Sequence, residues 1–150
     1  MPPSPQELRT LGEDVRGALG AALPARAREG VDAAIAVAGT PTSCAAMALG
    51  LEPYDRAAVE GFVLEAQVLE GQFANLAELP LARRRELTGL HPDRAPTIVA
   101  GVAILLEALR TLDLERVTVS ERDVLHGASL KLGMSKLELD HKLDWPRSQG

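Results

Sequence analysis

Five consecutive residues, Gly39-Thr40-Pro41-Thr42-Ser43, follow a short apolar run and lead into an alanine-rich stretch. A glycine lets the backbone approach a ligand, hydroxyls supply donors, and a helix opening here offers free N–H groups at its positive end. Together these make a small anion site, although the same residues also serve as a tight turn that caps a helix. A nucleotide-binding P-loop is excluded, because no lysine and no second glycine stand at the spacing it needs. Arg94 is the second candidate. It falls where a long apolar helix is expected to begin, and an arginine gains nothing from the dipole at that end. Its partner is then a carboxylate or a phosphate, and a salt bridge within the fold would satisfy it equally.

Other reactive residues carry less. Cys44 follows the Gly-Thr turn, but a nucleophilic thiol needs a base, and sequence brings none of His91, His126 and His141 near it. A small, inert, buried cysteine is the expectation. His91-Pro92-Asp93 and Asp140-His141 are isolated pairs, and one cysteine cannot build a structural zinc site. Arg83, Arg84 and Arg85 read as the solvated face of a short helix.

The chain as a whole limits what such a site can do. Its 150 residues, 46% hydrophobic and 25% charged, suit a folded domain or one lobe of a larger fold. A net charge of −5 argues against a general grip on nucleic acid or an anionic membrane. With 3% aromatic residues, base-stacking platforms are not expected either. No signal peptide or membrane span is visible, the single cysteine fits a reducing compartment, and a cytoplasmic location is expected.

The elements that must position these residues read as follows. Ser4, Pro5 and Glu7 announce a helix running to about Leu23, with Leu8, Leu11, Val15, Leu19 and Ala22 on one core-facing stripe. Residues 31–38 read as a buried strand, 42–51 as a helix, and 59–64 as a short edge strand. Residues 65–79 and 81–87 read as helices split by Pro80. A central helix spans 91–112, a strand 116–120 and a helix 124–132. The result is an α/β chain, helix-rich with few short strands.

With these residues in place, the chain resembles the exopolyphosphatase / guanosine pentaphosphate phosphohydrolase (Ppx/GppA) family. The resemblance lies in residues 36–51 (AVAGTPTSCAAMALGL), Glu52-Pro53-Tyr54-Asp55, Val59-Glu60-Gly61, residues 89–106 (GLHPDRAPTIVAGVAILL), and Val117-Thr118-Val119-Ser120 followed by His126-Gly127. It extends across residues 31–132. The family has the actin, Hsp70 and sugar-kinase (ribonuclease H-like) superfold, in which two lobes close around a phosphate substrate and a divalent metal, Mg2+. Its members remove terminal phosphate from inorganic polyphosphate or pppGpp.

The resemblance implies a partial lobe, with residues 1–132 as the C-terminal part of the second lobe; residues 133–150, polar and outside the resemblance, are expected to form a flexible tail. The first lobe, the phosphate loops and the catalytic and metal-binding carboxylates are expected upstream of Met1. This chain then holds no catalytic residue and no metal ligand, and alone it is expected to be inactive. Gly39 and Thr40, with Thr42 as a weaker candidate, match the Gly-Thr turn facing the interlobe cleft, and Arg94 matches a phosphate-contacting arginine. The closing block departs from the family pattern, since Leu125-His126 replaces an Arg-Glu pair. The implied partners are polyphosphate or a guanosine polyphosphate and the missing N-terminal lobe. A non-catalytic assembly module is the competing reading, with a homodimer formed through an exposed strand edge.

Overall fold

The structure, a computed structural model, describes residues 2–131. The expected tail, residues 133–150, lies outside the described residues. Helix α1 (Pro5–Ala22) begins at a capping box: Ser4 accepts from the Glu7 N–H while the Glu7 carboxylate accepts from the Ser4 backbone N–H. A single turn, α2 (Ala25–Arg28), follows. The expected eight-residue strand shrinks to β1 (Ile35–Val37), and helix α3 (Gly39–Leu49) starts three residues earlier than predicted, taking in the whole Gly-Thr turn. Where one strand was expected over 59–64, a helical turn α4 (Arg56–Val59), capped by Asp55, precedes strand β2 (Val63–Glu65).

Helices α5 (Ala66–Glu78) and α6 (Leu81–Arg84) flank Pro80 as anticipated. The long helix predicted from His91 is broken in two. A 3₁₀ turn (Pro92–Arg94) stands apart from α7 (Ile98–Thr111), with Pro96 between them. Pro96 has no N–H to donate to the Pro92 carbonyl, so the α-helical ladder is interrupted there although Ala95 keeps helical dihedrals. Arg94 therefore sits on the turn before the core helix and not on it. Strand β3 (Arg116–Ser120) and helix α8 (Val124–Lys131) complete the described chain.

The sheet order is β1-β3-β2, with β3 parallel to β1 and antiparallel to β2. Register places Ala36 beside Val119 and Leu64 beside Val117, so these side chains share the core face. Under them lie α3, α5 and α7, with Leu69, Leu76, Ile98, Val102 and Leu106 buried. Alternate residues face away, and Ile35 is left 71% exposed. Helix α1 packs chiefly on α7, and no α1 residue is fully buried, so its apolar stripe is half-covered where a core-facing stripe was expected. No described helix is long and apolar enough to cross a membrane.

Candidate functional site

The turn between β1 and α3 is built on an unusual backbone. Ala38, with φ 74° and ψ −170°, occupies a region that is almost glycine's alone. This conformation swings the chain from the strand directly into the first turn of α3. Ala38 is the N-cap and supplies no side-chain cap, so the first N–H groups of α3 keep their hydrogen-bonding capacity. Thr42 turns inward within that turn, its hydroxyl donating to the carbonyls of Ala38 at 3.1 Å and Gly39 at 3.3 Å.

Gly39 and Arg94, 55 positions apart in the chain, meet here. A β-carbon on residue 39 would overlap the Arg94 guanidinium. The cation thus lies against the bare backbone of the first α3 residue. Arg94 is exposed, and its side chain forms no ion pair among the described residues. Gly39, Thr42 and Arg94 line one cleft of about 920 Å³. Thr40 does not line it. Its side chain points the other way, into α7, where a β-carbon on Gly101 would collide with the Thr40 hydroxyl. Of the four expected site residues, the structure brings Gly39, Thr42 and Arg94 together and gives the Thr40 side chain a packing position.

Three further cleft residues were not anticipated. Arg85 lines the cleft and, like Arg94, forms no ion pair among the described residues. The expectation that Arg83, Arg84 and Arg85 form one solvated face fails at Arg84. Arg84 is buried, its Nε donating to the Leu76 carbonyl at 2.7 Å, while Arg83, paired with Glu86 at 3.0 Å, and Arg85 are exposed. Consecutive residues on a helix point about 100° apart, so a run of three like charges cannot share one environment. The sequence signal was therefore present in the spacing.

His91 also lines the cleft, its Nδ1 accepting from the Asp93 N–H at 3.3 Å to cap the 3₁₀ turn. Tyr54 stands at the cleft wall and donates to the Glu121 carboxylate. Burial first, then that carboxylate, raises the phenol above its ordinary pKa. Glu121 also pairs with Arg56 at 3.3 Å, and its N–H donates to Glu60 at 2.6 Å. Glu60 further accepts from the Ser120 hydroxyl at 3.1 Å and pairs with Arg122 at 3.5 Å. These contacts fasten the Tyr54 loop to the end of β3.

Cys44 is fully buried, and burial pushes its thiol up to about 12, the reverse of what a nucleophile needs. No group of three or more His, Cys, Asp or Glu among the described residues could hold a metal ion. The cleft lining combines an open helix start with two guanidinium groups, Arg85 and Arg94, that form no ion pair among the described residues, and with three carboxylates, Glu52, Glu86 and Asp93.

Comparison with known proteins gives this arrangement a context. Residues 1–135 match the Ppx/GppA phosphatase family. The chain is 34% identical over 136 residues to exopolyphosphatase 2 of Mycobacterium tuberculosis, an alignment covering 87% of this chain and 42% of that protein. Among solved structures, it is similar to the Aquifex aeolicus Ppx/GppA family member (27% identity, TM-score 0.76, 89% of this chain and 44% of that one). An exopolyphosphatase-like protein shares the fold at TM-score 0.82, with 24% identity over 88% of this chain and 44% of the other. The helix-rich α/β arrangement is accordingly part of a larger actin-like fold. Spanning less than half the length of these relatives, the chain belongs to the Ppx/GppA phosphatase family.

Proposed function

We propose that this chain forms one wall of the interlobe cleft of a phosphoanhydride hydrolase, one that releases terminal phosphate from inorganic polyphosphate or a guanosine polyphosphate. The observation that carries the reading is the seating of the Arg94 guanidinium on Gly39, at the open start of α3. Phosphoryl transfer needs charge absorbed at the transferring group, an oriented water and, in most such enzymes, a divalent cation. Arg94 is suited to the first task, with a planar fork that matches phosphate oxygens. The first N–H groups of α3 complete an oxyanion-binding wall, and Thr42, whose hydroxyl donates to the Ala38 and Gly39 carbonyls, holds that turn in place.

In this reading the water-activating base and the metal ligands are supplied by the part of the family's fold that this chain does not span. The isolated chain therefore binds without turnover. Incubated with magnesium and polyphosphate, it should release no more phosphate than a Gly39/Arg94 double variant; sustained release above that background would overturn the reading. Binding of inorganic tripolyphosphate should weaken about tenfold in R94Q, the cost of one charge-assisted contact.

A second reading, a non-catalytic assembly module, draws on the open face of the sheet. Ile35 at 71% and Val37 at 39% exposure lie on the edge strand β1, and Val63 at 42% lies on the opposite edge strand, β2. Such an edge pairs readily with another strand, from a second copy or from the remainder of a family-length polypeptide. A monodisperse monomer on size exclusion counts against it.

A further inference from the structure

We infer that His91 is a positioning residue for Arg94 and that protonation releases its hold, so that the grip of the cleft on phosphate weakens as pH falls. The inference rests on the cleft reading above and names what regulates it. Leu90 and Ala95 are buried, at 4% and 0% exposure, and the four residues between them are exposed. With both ends anchored in the core, the path of this short bridge is set by its own hydrogen bonds, and that path aims Arg94. Residue 91 supplies two of them. Its carbonyl accepts from the Arg94 N–H at 2.9 Å, and its ring Nδ1 accepts from the Asp93 N–H at 3.3 Å. Pro92 has no N–H, so Asp93 carries the first donor of the turn, and the imidazole is its acceptor.

Accepting at Nδ1 requires a neutral ring with its proton on Nε2. The usual capping side chains, Ser, Thr, Asp and Asn, accept throughout the neutral range, whereas histidine is the side chain that ordinarily changes charge between about pH 5 and 8. Once the ring is protonated, both of its nitrogens are donors and the Asp93 N–H loses its acceptor. The ring is then drawn to the Asp93 carboxylate, whose Oδ2 lies 3.7 Å from Nδ1. The new positive charge helps an anion little, because the side chain is 71% exposed, where water screens it, and the Asp93 carboxylate beside it offsets it. The loosened turn therefore decides the sign. The other charged or titratable groups facing the cleft are Arg85 and Glu86 at the end of α6, Glu52 and Tyr54 on the loop after α3, and Asp93 and Arg94 on the turn itself; α3 contributes none.

The test uses variants of the full chain that keep all of those groups. H91N supplies a side-chain carbonyl that caps the turn and does not titrate, and H91A supplies no acceptor. Dissociation constants for inorganic tripolyphosphate are taken as ratios to H91N, in which the titration of the ligand itself cancels. The wild-type ratio should be near one at about pH 8 and rise to about fivefold at about pH 5.5, the worth of one cap, and the H91A ratio should be about fivefold at both. In the ligand-free, isotopically labelled protein, the Asp93 amide resonance should follow the titration of the His91 ring. A flat wild-type ratio, a ratio that falls below one on acidification, H91A binding as tightly as H91N, or an Asp93 amide indifferent to the ring would each overturn the inference while leaving the cleft reading in place. Tripolyphosphate binding that R94Q leaves unchanged would instead overturn the cleft reading, and this inference with it.

Discussion

The Arg94 guanidinium occupies the space that a β-carbon on residue 39 would need. The obstacle is the far end of a flexible side chain, so Gly39→Ala should move Arg94 without unfolding the protein. Alanine at the first position of α3 even restricts the unfolded chain, worth roughly 0.4–1 kcal/mol where the backbone allows it. The expected outcome is a melting temperature unchanged or slightly raised, alongside tripolyphosphate binding weakened about as much as in R94Q. A variant that keeps full affinity would show that Arg94 does not act from its place on Gly39.

Gly101 and Thr40 make a contact of the opposite kind. A β-carbon on residue 101 would meet the Thr40 hydroxyl and stand 2.9 Å from its methyl group. Thr40 is a β-branched residue in the first turn of α3 and has few ways to yield. Gly101→Ala should cost about 1–3 kcal/mol, the usual penalty for overpacking. Pairing it with Thr40→Ala should recover much of that loss in chemical denaturation. Additive losses in the double variant would contradict the contact.

The Glu60 carboxyl is held below its ordinary value of 4.5, first by the Glu121 N–H; partial burial opposes this, while Ser120 and Arg122 assist. A depressed folded-state pKa means stability that is present above the unfolded value and lost as pH falls through the folded one. Denaturation midpoints of wild type and E60Q should therefore differ near neutrality and converge on acidification below 4.5. A gap that stays constant with pH would exclude the carboxylate's charge as its source.

Cys44 should be inert in the native protein. Fully buried and with its thiol pushed up to about 12, it has almost no thiolate at neutral pH. Labelling by an aromatic disulfide reagent is expected only as fast as the protein opens, accelerating steeply in denaturant. Rapid stoichiometric labelling in buffer would contradict its burial.

Much of this was written in local sequence. Ser4-Pro5 and Glu7 fix the start of α1, and Arg116–Ser120 matches its expected strand residue for residue, because caps and alternation act over a few neighbours. Less legible was anything decided at a distance. Nothing near Thr40 says that its side chain faces Gly101, and Arg84 is buried because a carbonyl of the preceding helix lies within reach. The meeting of Gly39 with Arg94 was suggested only by resemblance, since residue patterns do not reveal which turn of the chain returns to a given loop. The break before α7 could have been read from Pro96, but the strength of the apolar stripe beyond it outweighed one proline.

The strand that joins the sheet is the last of the three to be made. β1 and β2 never touch each other; each is held by β3, which ends at Ser120. As the chain leaves the ribosome, both outer strands must wait without partners while at least fifty intervening residues are synthesised. The turn at Ala38 that aims α3 at the cleft leans on β1, so it has no fixed frame until then. A nascent chain halted before residue 116 would carry every cleft residue named above except the one support that holds them in register, making β3 the checkpoint at which a polymer becomes a binding wall.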